Sequence, residues 1–393
     1  MNSLAPQDKA KIQFAALIIT LLLAIVGGME ASTFFFVSES RSLVLDDTFH
    51  SQWVFNYTAT RFDSLGIAGR IENEMTHLDH LYNRYGPYTN EDGERVTNLY
   101  DINQTGYGSG EWVTIDPLLY NMLDLSYNMT IRDQGEYYNM FVGAYVDVWF
   151  PYILMGAGSP STTDIAEAAS CVPTGSMLVD HPILEFNPGT MAIKFNRLTS
   201  CPEDEKVSIS LGGMIKGYAL DMMIPHLEKY PNTFINGGSS SLYIGHQDET
   251  KTLGFFNPQF VDGTTTDPNL REAVQLTFTP GASVSTSGDY QQGYRYNDGE
   301  SLRWYHHIID PATGYPTTSF RSVIVVTESA TDADFWSTIL MAMPREEAFS
   351  VTRDLDATVV FMYEVDGELQ LTVASSQWVT MIDSPYDITY LDD

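Results

Sequence analysis

Residues Arg303–Pro316 read RWYHHIIDPATGYP, a strand-like run that ends in two adjacent histidines and a turn built on Asp310 and Pro311. Successive side chains of an extended strand point to opposite faces, so His306 and His307 lie on opposite sides of it. Only one of the two imidazoles can therefore line a given pocket. A single histidine on a strand is usually a structural residue, so a catalytic assignment needs support from neighbouring segments.

The segment ahead of this stretch is rich in hydroxyl groups. STSGDY at 285–290 predicts a small turn that can hold polar parts of a ligand by side chain and backbone together. The turn consists of Ser285, Thr286, Ser287, Gly288 and Asp289, and the last four are the candidate binding residues.

The segment behind it, ATDADFWSTIL at 330–340, predicts a helix with oxygen-bearing side chains on one face. Asp334, Ser337 and Thr338 are spaced i, i+3 and i+4, which brings them together on that face. Such oxygens suit Mg²⁺. The competing interpretation is a helix cap, in which Thr331 is the N-cap and Asp334 reaches back to it. Spacing alone favours the cap.

A glycine break opens another candidate binding site. SLGGMIKGYALD at 210–221 predicts a short strand, a break at Gly212 and Gly213, and a helix over about 215–227. The glycines let a ligand or ion approach the backbone, the helix start offers free N–H groups, and Lys216 adds positive charge for an anion. An ordinary strand-to-helix turn is the alternative.

The remaining pattern predicts helices and strands in irregular order. Helices are expected where Ile67, Ile71, Met75, Leu78 and Tyr82 recur at helical spacing, after the capping pair Asp116-Pro117, and near Thr162. Strands are expected over 43–58, 178–186 and 191–195, in TFINGGSSSLYIG, and in SVIVVTE, ATVVFMYEV and LQLTVAS. Gly237 and Gly238 form the break in the fourth of these, which a bare hairpin also explains. With no βαβ alternation or internal repeat, the fold class is α+β.

The charge of the chain limits its partners. It has 393 residues, 44% of them hydrophobic, and 20 Lys+Arg against 51 Asp+Glu give a net charge of -31. That much apolar content supports a sizeable core, whereas the negative charge repels phosphate backbones and excludes nucleic acid as a partner. An anionic small substrate needs a cation beside it.

The N-terminus carries an apolar run, IQFAALIITLLLAIVGG at 12–28, preceded by Lys9 and Lys11. We predict a cytoplasmic N-terminus over 1–11, a transmembrane anchor over 12–29, a spacer over 30–42 and one extracytoplasmic domain over 43–393. The protein is thus expected at the cell membrane as a single-pass protein. A cleaved secretory signal is the alternative for 12–29. No cysteine directly follows the run, which excludes a lipid anchor there.

Cys171 and Cys201 are the only two cysteines, and no CxxC pair is present. In an oxidising compartment they can form a disulfide. Two buried thiols fit the sequence nearly as well.

The ordered set SLGGMIKGYALD, NGGSSSLYIG, STSGDY, HIIDPATGYP and ATDADFWSTIL resembles the ApbE family of FAD:protein FMN transferases, over about residues 48–343. EYYNMFVGAYVDVW at 136–149 and YNRYGPYTNEDGERVTNLYDIN at 82–103 are similar to upstream segments of that family. The resemblance implies an ApbE-like fold of mixed sheets and packed helices. It also implies an enzyme that splits the pyrophosphate of FAD with Mg²⁺, releases AMP and joins FMN to a Thr or Ser hydroxyl of an extracytoplasmic redox protein.

The resemblance also implies roles for individual residues. Mg²⁺ would be held by the backbone carbonyl of Gly213 and the side chains of Asp334 and Thr338, with Ser337 adjacent. His307 matches the family's catalytic histidine, which takes the proton of the acceptor hydroxyl. Tyr85, Tyr137, Tyr138, Asn139, Lys216 and Ile308 match FAD contacts, and Ser210, Gly237, Gly238, Thr286, Ser287, Gly288 and Asp289 are assigned to the same site. We further expect Asp334→Ala to abolish FMN transfer without disturbing the fold, because the site is surface-accessible.

The sequence departs from the family pattern at three places. Ser210 replaces the usual Asp, which removes a carboxylate from the FAD site; His50-Ser51 replaces Gly-Thr, and EYYN replaces GAFD. A transferase is the favoured function. The alternatives are an FAD pyrophosphatase that uses water as acceptor, a surface flavin-binding protein without catalysis, which Ser210 favours, and a structural adhesin, which leaves the motifs unexplained.

Overall fold

The computed structural model describes residues 37–180, 182–238, 240–297 and 302–391, together with Phe34. The predicted cytoplasmic segment and the predicted anchor at 12–29 lie outside these residues. Among the helices in the described ranges, none has the length and apolar character needed to span a bilayer.

The strands follow the chain in this order: β1 Ser38–Thr48, β2 Ser51–Thr60, β3 Tyr88–Thr89, β4 Arg95–Val96, β5 Val113–Thr114, β6 Leu184–Asn187, β7 Ala192–Phe195, β8 Phe234–Gly237, β9 Ser241–Ile244, β10 Lys251–Phe256, β11 Glu272–Phe278, β12 Ala282–Gly288, β13 Gly293–Asn297, β14 Leu302–His306, β15 Ser322–Thr327, β16 Thr358–Val365, β17 Glu368–Ala374, β18 Val379–Asp383 and β19 Ile388–Tyr390.

The α-helices are α1 Arg61–Tyr82, α2 Leu99–Asp101, α3 Pro117–Arg132, α4 Gly143–Met155, α5 Thr162–Ala169, α6 Ser176–Asp180, α7 Ile215–Leu227, α8 Pro258–Val261, α9 Ala330–Ala342 and α10 Arg345–Thr352. A π-helical turn follows α2 at Ile102–Gly106, and a 3₁₀ turn lies at Pro268–Leu270.

A nine-stranded sheet in the order β1-β2-β8-β9-β12-β15-β16-β17-β19 forms the centre of the fold. Its pairs are antiparallel except β17 with β19. One face packs against helices, among them α1, α7 and α9, in a single large apolar cluster. The other face packs against the small sheet β10-β11-β18 in a second cluster. The predicted α+β class is confirmed, with helices and a second sheet covering opposite faces of one sheet.

A third apolar cluster lies apart from the large sheet. It joins α4 and α5 to the hairpin of β13 and β14 through aromatic side chains such as Trp149, Tyr294 and Tyr305. This cluster supports the strand that ends at His306.

The helix predictions hold where the apolar spacing is regular. Ile67, Ile71, Met75, Leu78 and Tyr82 are all buried on α1. Helix α3 begins at Pro117, and the Asp116 side chain caps it by accepting from the Leu118 N–H. Helix α5 begins at Thr162 behind a capping box formed by Ser161 and Asp164.

Four local predictions are wrong. The short strand expected before the break at Gly212 and Gly213 is not among the strands of the described residues, and Ser208 there forms only an isolated bridge with Val142. The single strand expected over 43–58 is the hairpin of β1 and β2, and Leu178 lies in α6 rather than in a strand. The segment STSGDY is not a turn, because residues 285–288 belong to β12 in the middle of the large sheet. Helix α4 was not expected, and it contains Pro151.

Cys171 and Cys201 are joined by a disulfide, so the first of the two alternatives for these cysteines is correct and two buried thiols are excluded. The bond closes a separation of 30 residues and lies in the large apolar cluster.

Candidate active site

Asp334 lies where α9 meets both α7 and the large sheet. Its Oδ2 accepts a hydrogen bond from the Gly217 N–H at 2.8 Å, and its Oδ1 accepts one from the Ser285 hydroxyl at 2.9 Å. The residue is only 7% exposed. Asp334 therefore does not cap its own helix, and the expectation of a surface-accessible ligand is wrong.

The cap of α9 is built from other residues. The Ser329 hydroxyl accepts from the Asp332 N–H, and Asp221 of α7 accepts from the N–H groups of Ala330 and Thr331 at 2.8 Å each. The Asp221 carboxylate also accepts from the hydroxyls of Ser329 and Thr331. A carboxylate at a helix start satisfies free donors and complements the helix dipole.

Four further oxygens, three hydroxyls and one carbonyl, form the rest of the site around Asp334. The Ser337 and Ser287 hydroxyls are 2.9 Å apart, and the Thr338 hydroxyl donates to the Gly213 carbonyl at 3.1 Å. We call Gly213, Ser285, Ser287, Asp334, Ser337 and Thr338 the oxygen cluster. The structure thus brings together all four residues assigned to the metal, from α9 and from the glycine break before α7.

Two glycines allow this close approach of α7 and α9. A Cβ on Gly217 would lie 2.1 Å from the Ala330 carbonyl oxygen and 2.6 Å from the Asp334 Cβ. A Cβ on Gly213 would lie 3.1 Å from Thr338 Cγ2. Gly217 is therefore required by packing, whereas Gly213 keeps the space beside Thr338 open.

Burial dominates the electrostatics of the cluster. Burial raises the pKa of the Asp334 carboxyl, while the Gly217 N–H, the Ser285 hydroxyl and the Lys216 charge act in the opposite direction. Burial also lowers the pKa of the Lys216 amino group, whose Nζ donates to the Ser240 hydroxyl at 3.2 Å. A cation beside Asp334 would offset the cost of burying the carboxylate.

The donor set fits Mg²⁺. It consists of one carboxylate, one backbone carbonyl and hydroxyls, all hard oxygen ligands. Among the described residues no group of three or more His, Cys, Asp or Glu side chains could hold a metal. A site with a single carboxylate suits an ion whose remaining ligands are substrate phosphates and water. The oxygens of Asp334 each accept one protein hydrogen bond and keep further lone pairs.

The two histidines have separate environments. His306 is 1% exposed, its Nε2 contacts the Thr317 carbonyl at 2.8 Å, and its Nδ1 accepts from the Ile308 N–H at 3.3 Å. Both ring nitrogens of His306 are thus used in holding the turn that follows. Burial lowers its pKa to about 3, so the ring is neutral at pH 7.

His307 follows the last residue of β14 and is half-buried. Its Nδ1 is buried and has no hydrogen-bond partner within the described part of the chain. Burial lowers the pKa of His307 to about 4, the Lys216 charge acts in the same direction, and the backbone of Gln292 opposes it. The ring is therefore neutral near pH 7, and its buried Nδ1 lacks a hydrogen-bond partner within the described residues.

The predicted aromatic contacts divide into exposed and buried side chains. Tyr85 is 49% exposed, whereas Tyr138 is buried against Phe335 of α9 with its hydroxyl 2.8 Å from the Ser126 hydroxyl. Tyr137 donates its hydroxyl to Glu347 at 2.7 Å. Of these three tyrosines only Tyr85 is exposed, with its ring against Arg84, His50 and Phe150. Tyr138 instead supports the helix of Asp334.

A backbone hydrogen bond connects the segment that contains Asn139 with the segment that contains Ser210. The Asn139 side chain is buried, donates to the Pro173 carbonyl and accepts from the Phe141 N–H. The Ser210 N–H donates to the Met140 carbonyl at 2.7 Å. The two segments therefore lie side by side.

Two glycines lie at the end of β8, and the second of them, Gly238, lies near Lys216. A Cβ on Gly237 would meet the Trp53 ring at 2.8 Å, and one on Gly238 would lie 2.4 Å from the Ser51 hydroxyl and 3.7 Å from Lys216 Nζ. Gly238 also has a φ of 69°, in the left-handed region. Ile308 is buried, and its carbonyl accepts from the Thr317 N–H.

The residues of STSGDY separate onto two faces of β12. Ser285 and Ser287 face α9, whereas Thr286 pairs with Ile324, which belongs to the apolar cluster on the opposite face. The Thr286 side chain is therefore not beside the oxygen cluster. Gly288 ends the strand.

Asp289 lies in an ion-pair cluster with Arg321, which also contacts Asp262 and Glu364. Burial raises the pKa of Asp289 to about 7, against the effect of Arg321. Asp289 and His306 line a cavity of about 610 Å³ together with Trp304 and Arg321, and no residue of the oxygen cluster lines that cavity. The structure thus separates Asp289 from the residues assigned to the metal.

Sequence reasoning placed Ser285 in a ligand-binding turn but did not connect it with Asp334, and it missed Asp221. Ser285 lies two positions before Ser287, so the two share one face of β12. Asp221 closes the motif that begins at Ser210, but its role depends on a helix more than 100 residues away.

Fold and site together define an α+β protein in which a glycine break before one helix faces an oxygen-bearing side of another, and in which the Lys216 charge of the first helix acts on a neutral histidine. The ApbE family model matches residues 48–362. The chain belongs to the ApbE family.

Curated relatives and solved structures agree with this family. An FAD:protein FMN transferase of Klebsiella pneumoniae (strain 342) is 26% identical over 239 residues, which cover 58% of this chain and 64% of the relative. One of Vibrio cholerae serotype O1 (strain ATCC 39541 / Classical Ogawa 395 / O395) is 33% identical over 248 residues, covering 60% and 64%. These matches thus span less than two thirds of the length of either relative.

The fold itself is shared over more of the chain. The crystal structure of the ApbE protein from Thermotoga maritima MSB8 has a TM-score of 0.63 and 22% identity, and covers 84% of this chain and 96% of that one. The flavin transferase ApbE from Vibrio cholerae has a TM-score of 0.63 and 20% identity, and covers 87% and 99%. The expected ApbE-like fold is confirmed for the described domain.

Proposed function

We propose that this protein transfers FMN from FAD to a Thr or Ser hydroxyl of an extracytoplasmic acceptor protein and releases AMP, with Mg²⁺ as cofactor. The observation that carries the proposal is the meeting of the Gly213 carbonyl, Asp334 and Thr338, which join two distant segments in one oxygen cluster. The names of the curated relatives support the reaction class.

The residues of this chain suit the individual tasks. When bound in the oxygen cluster, Mg²⁺ would neutralise charge on the pyrophosphate as it develops. Lys216 adds a second cation at the start of α7, which an anionic substrate needs in a chain of net charge -31. Tyr85 offers an exposed ring for stacking on a flavin or an adenine.

The proposed reaction is a phosphoryl-type displacement. The acceptor oxygen forms a bond to the phosphorus of the FMN half, the bond from that phosphorus to the bridging oxygen breaks, and AMP leaves with the electron pair. His307 takes the hydroxyl proton, for which its neutral ring and unpartnered Nδ1 are suited.

An FAD pyrophosphatase would use the same residues with water as the acceptor. The test is incubation of the protein with FAD, Mg²⁺ and an acceptor domain carrying a candidate threonine, followed by mass analysis of the acceptor and quantification of AMP. Transfer predicts AMP in equal amount to acceptor whose mass has increased by one FMN unit. AMP without modified acceptor supports the pyrophosphatase, and bound FAD without AMP supports a flavin-binding protein.

The cellular location belongs to the same proposal. The apolar run at 12–28 behind Lys9 and Lys11 supports a membrane anchor with the domain on the extracytoplasmic side. The Cys171–Cys201 disulfide fits an oxidising compartment. Fractionation of cells, with protease added from outside, tests this orientation.

A further inference from the structure

Arg84 is a buried cation in the loop that follows α1. Its side chain is 8% exposed, and it forms a two-point ion pair with Asp147 of α4, with Nη1 to Oδ1 at 2.9 Å and Nη2 to Oδ2 at 3.0 Å. Asp147 is 56% exposed on its side chain. Ion pairs with so much solvent contact contribute little to stability, so the pair alone does not explain a buried arginine.

The guanidinium also reaches two other segments. Nη2 donates to the Ser208 hydroxyl at 2.8 Å and to the Gly143 carbonyl at 3.3 Å. Ser208 lies two residues before Ser210, and Gly143 lies four residues after Asn139. The Gly143 N–H in turn donates to the Ser208 carbonyl at 3.0 Å. Arg84 thus closes the junction between two segments assigned to FAD.

The third segment is the one that carries Arg84 itself. The Tyr85 ring centroid lies 5.3 Å from the Arg84 Cζ and 5.6 Å from the Phe150 ring, which is stacked on it. Tyr85 is nevertheless 49% exposed. The His50 ring also contacts Tyr85, with ring centroids 6.1 Å apart. Because these three neighbours fix the orientation of the ring, a ligand that packs on its exposed part orders little additional side-chain freedom.

We infer that Arg84 is a positioning residue of the flavin site, which fixes Tyr85 relative to the segments of Ser210 and Asn139. This inference rests on the proposed function. All three hydrogen bonds of Arg84 come from Nη2, whereas Nε and Nη1 lack a hydrogen-bond partner within the described residues. Arginine is needed because its planar guanidinium lies over the Tyr85 ring while it pairs with Asp147 at two points, whereas a lysine ammonium is a point charge on a flexible stem. The positive charge alone is therefore not sufficient.

The test compares Arg84→Lys, Ser208→Ala and the wild-type protein, each titrated with FAD in the presence of Mg²⁺. Arg353→Lys is the matched control, because Arg353 is an exposed arginine that donates to the Leu391 carbonyl away from the site. Binding is followed by flavin fluorescence, which stacking on tyrosine quenches. The apparent KM for FAD and kcat are measured from AMP release, and thermal unfolding of each apo protein is recorded.

We expect Arg84→Lys to raise the Kd and KM for FAD about tenfold or more with a kcat within about threefold of wild type, because the groups that act on the pyrophosphate are untouched. At saturating FAD, the bound flavin is less quenched. Ser208→Ala has a smaller effect in the same direction, and Arg353→Lys leaves all values within about twofold.

Wild-type Kd, KM and quenching in both Arg84→Lys and Ser208→Ala would overturn the inference. An equal fall of kcat with no change in KM would also overturn it. If Arg84→Lys fails to fold, Ser208→Ala decides, because it leaves the charge and the Asp147 pair in place. If the wild-type protein itself binds no FAD, the proposed function is wrong, and the inference is wrong with it. Wild-type protein that binds FAD together with variants that bind it equally well contradicts the inference alone.

Discussion

At the scale of single residues, the buried polar atoms of the site differ in whether they have a hydrogen-bond partner. Asp334 is buried with partners for both oxygens, and His306 has partners for both ring nitrogens. His307 keeps one nitrogen without a partner within the described residues. A buried polar atom without a hydrogen-bond partner carries a free-energy cost, and a catalytic role is one reason for such an atom to be retained.

Asp334→Ala is expected to remove Mg²⁺-dependent AMP release and also to destabilise the fold. The Gly217 N–H and the Ser285 hydroxyl lose their acceptor, which costs about 1–3 kcal/mol of unfolding free energy. Urea unfolding and Mg²⁺ titration measure the two effects. Asp332→Ala is the matched control, because Asp332 is an exposed carboxylate in the same helix. AMP release at the wild-type rate in Asp334→Ala would remove this residue from the metal site.

His307→Ala is expected to slow FMN transfer by about 10²–10⁴-fold while FAD binding stays near the wild-type value, because a positioned base is lost. The depressed pKa of about 4 means that His307 stays unprotonated from pH 8 down to about pH 5. Its contribution is lost only as the pH falls through about 4. A pH profile of kcat that falls around pH 6.5 in the wild type but not in His307→Ala would contradict this assignment.

At the scale of elements, α7 and α9 form the unit that makes the oxygen cluster. They touch at Gly217, where the Ala330 carbonyl leaves no room for a Cβ, and Asp221 of α7 caps the start of α9. The orientation of Asp334, Ser337 and Thr338 therefore depends on contacts made at the first turn of the same helix.

Asp221→Ala is expected to lower the unfolding free energy by about 2 kcal/mol, because four donors at the start of α9 lose a charged acceptor. The affinity for Mg²⁺ should fall as well, since the helix start is no longer held. Urea unfolding and Mg²⁺ titration in the presence of FAD check both results. Glu228→Ala, at the exposed end of α7, serves as the control. Unchanged stability would show that Ser329 alone is a sufficient cap.

The elements that the sequence predicts correctly are those with a period or a cap. The buried face of α1 and the Asp116 cap of α3 follow from spacing and residue type. The β1–β2 hairpin was missed because its turn contains no glycine or proline. Asp47, Phe49 and His50 take positive φ values there, which non-glycine residues rarely do, so the chain gave no turn signal.

The candidate site was also predictable from the sequence only in part. The face of Asp334, Ser337 and Thr338 follows from helical spacing, and Gly213 was placed with it only through the resemblance to a family. Asp221 and Ser285 could not be joined to them from spacing, because their contacts with α9 cross 49 residues or more of chain. The pairing of Asp289 with Arg321 likewise depends on how the sheet folds and could not be read from spacing.

At the scale of the whole molecule, the large sheet divides the core into two parts. The helices and the oxygen cluster lie on one side of the sheet. On the other side, apolar side chains of the sheet pack against β10, β11 and β18. The disulfide ties the segment after α5 to the loop before α7, on the helix side. Long-range ties of this kind restrict the unfolded chain.

Reduction of the Cys171–Cys201 disulfide is expected to lower the unfolding free energy by about 3–4 kcal/mol, from the entropy gained by the unfolded chain when a loop of this length opens. Thermal unfolding with and without dithiothreitol measures the change. The double variant Cys171→Ser/Cys201→Ser is the control and should not respond to the reductant. An identical midpoint for oxidised and reduced wild type would show that the bond does not restrain the unfolded state.

The double contact of α7 with α9 has an evolutionary consequence. A side chain at 217 collides with the Ala330 carbonyl, and a neutral residue at 221 leaves the donors of 330 and 331 exposed. A substitution at one of these positions is therefore expected to preserve the contact of α7 with α9 only when another of them changes as well. Among relatives that keep the same chemistry, positions 217, 221 and 329–331 should vary as a correlated group, and a lineage that has lost the chemistry should be free to change them one at a time.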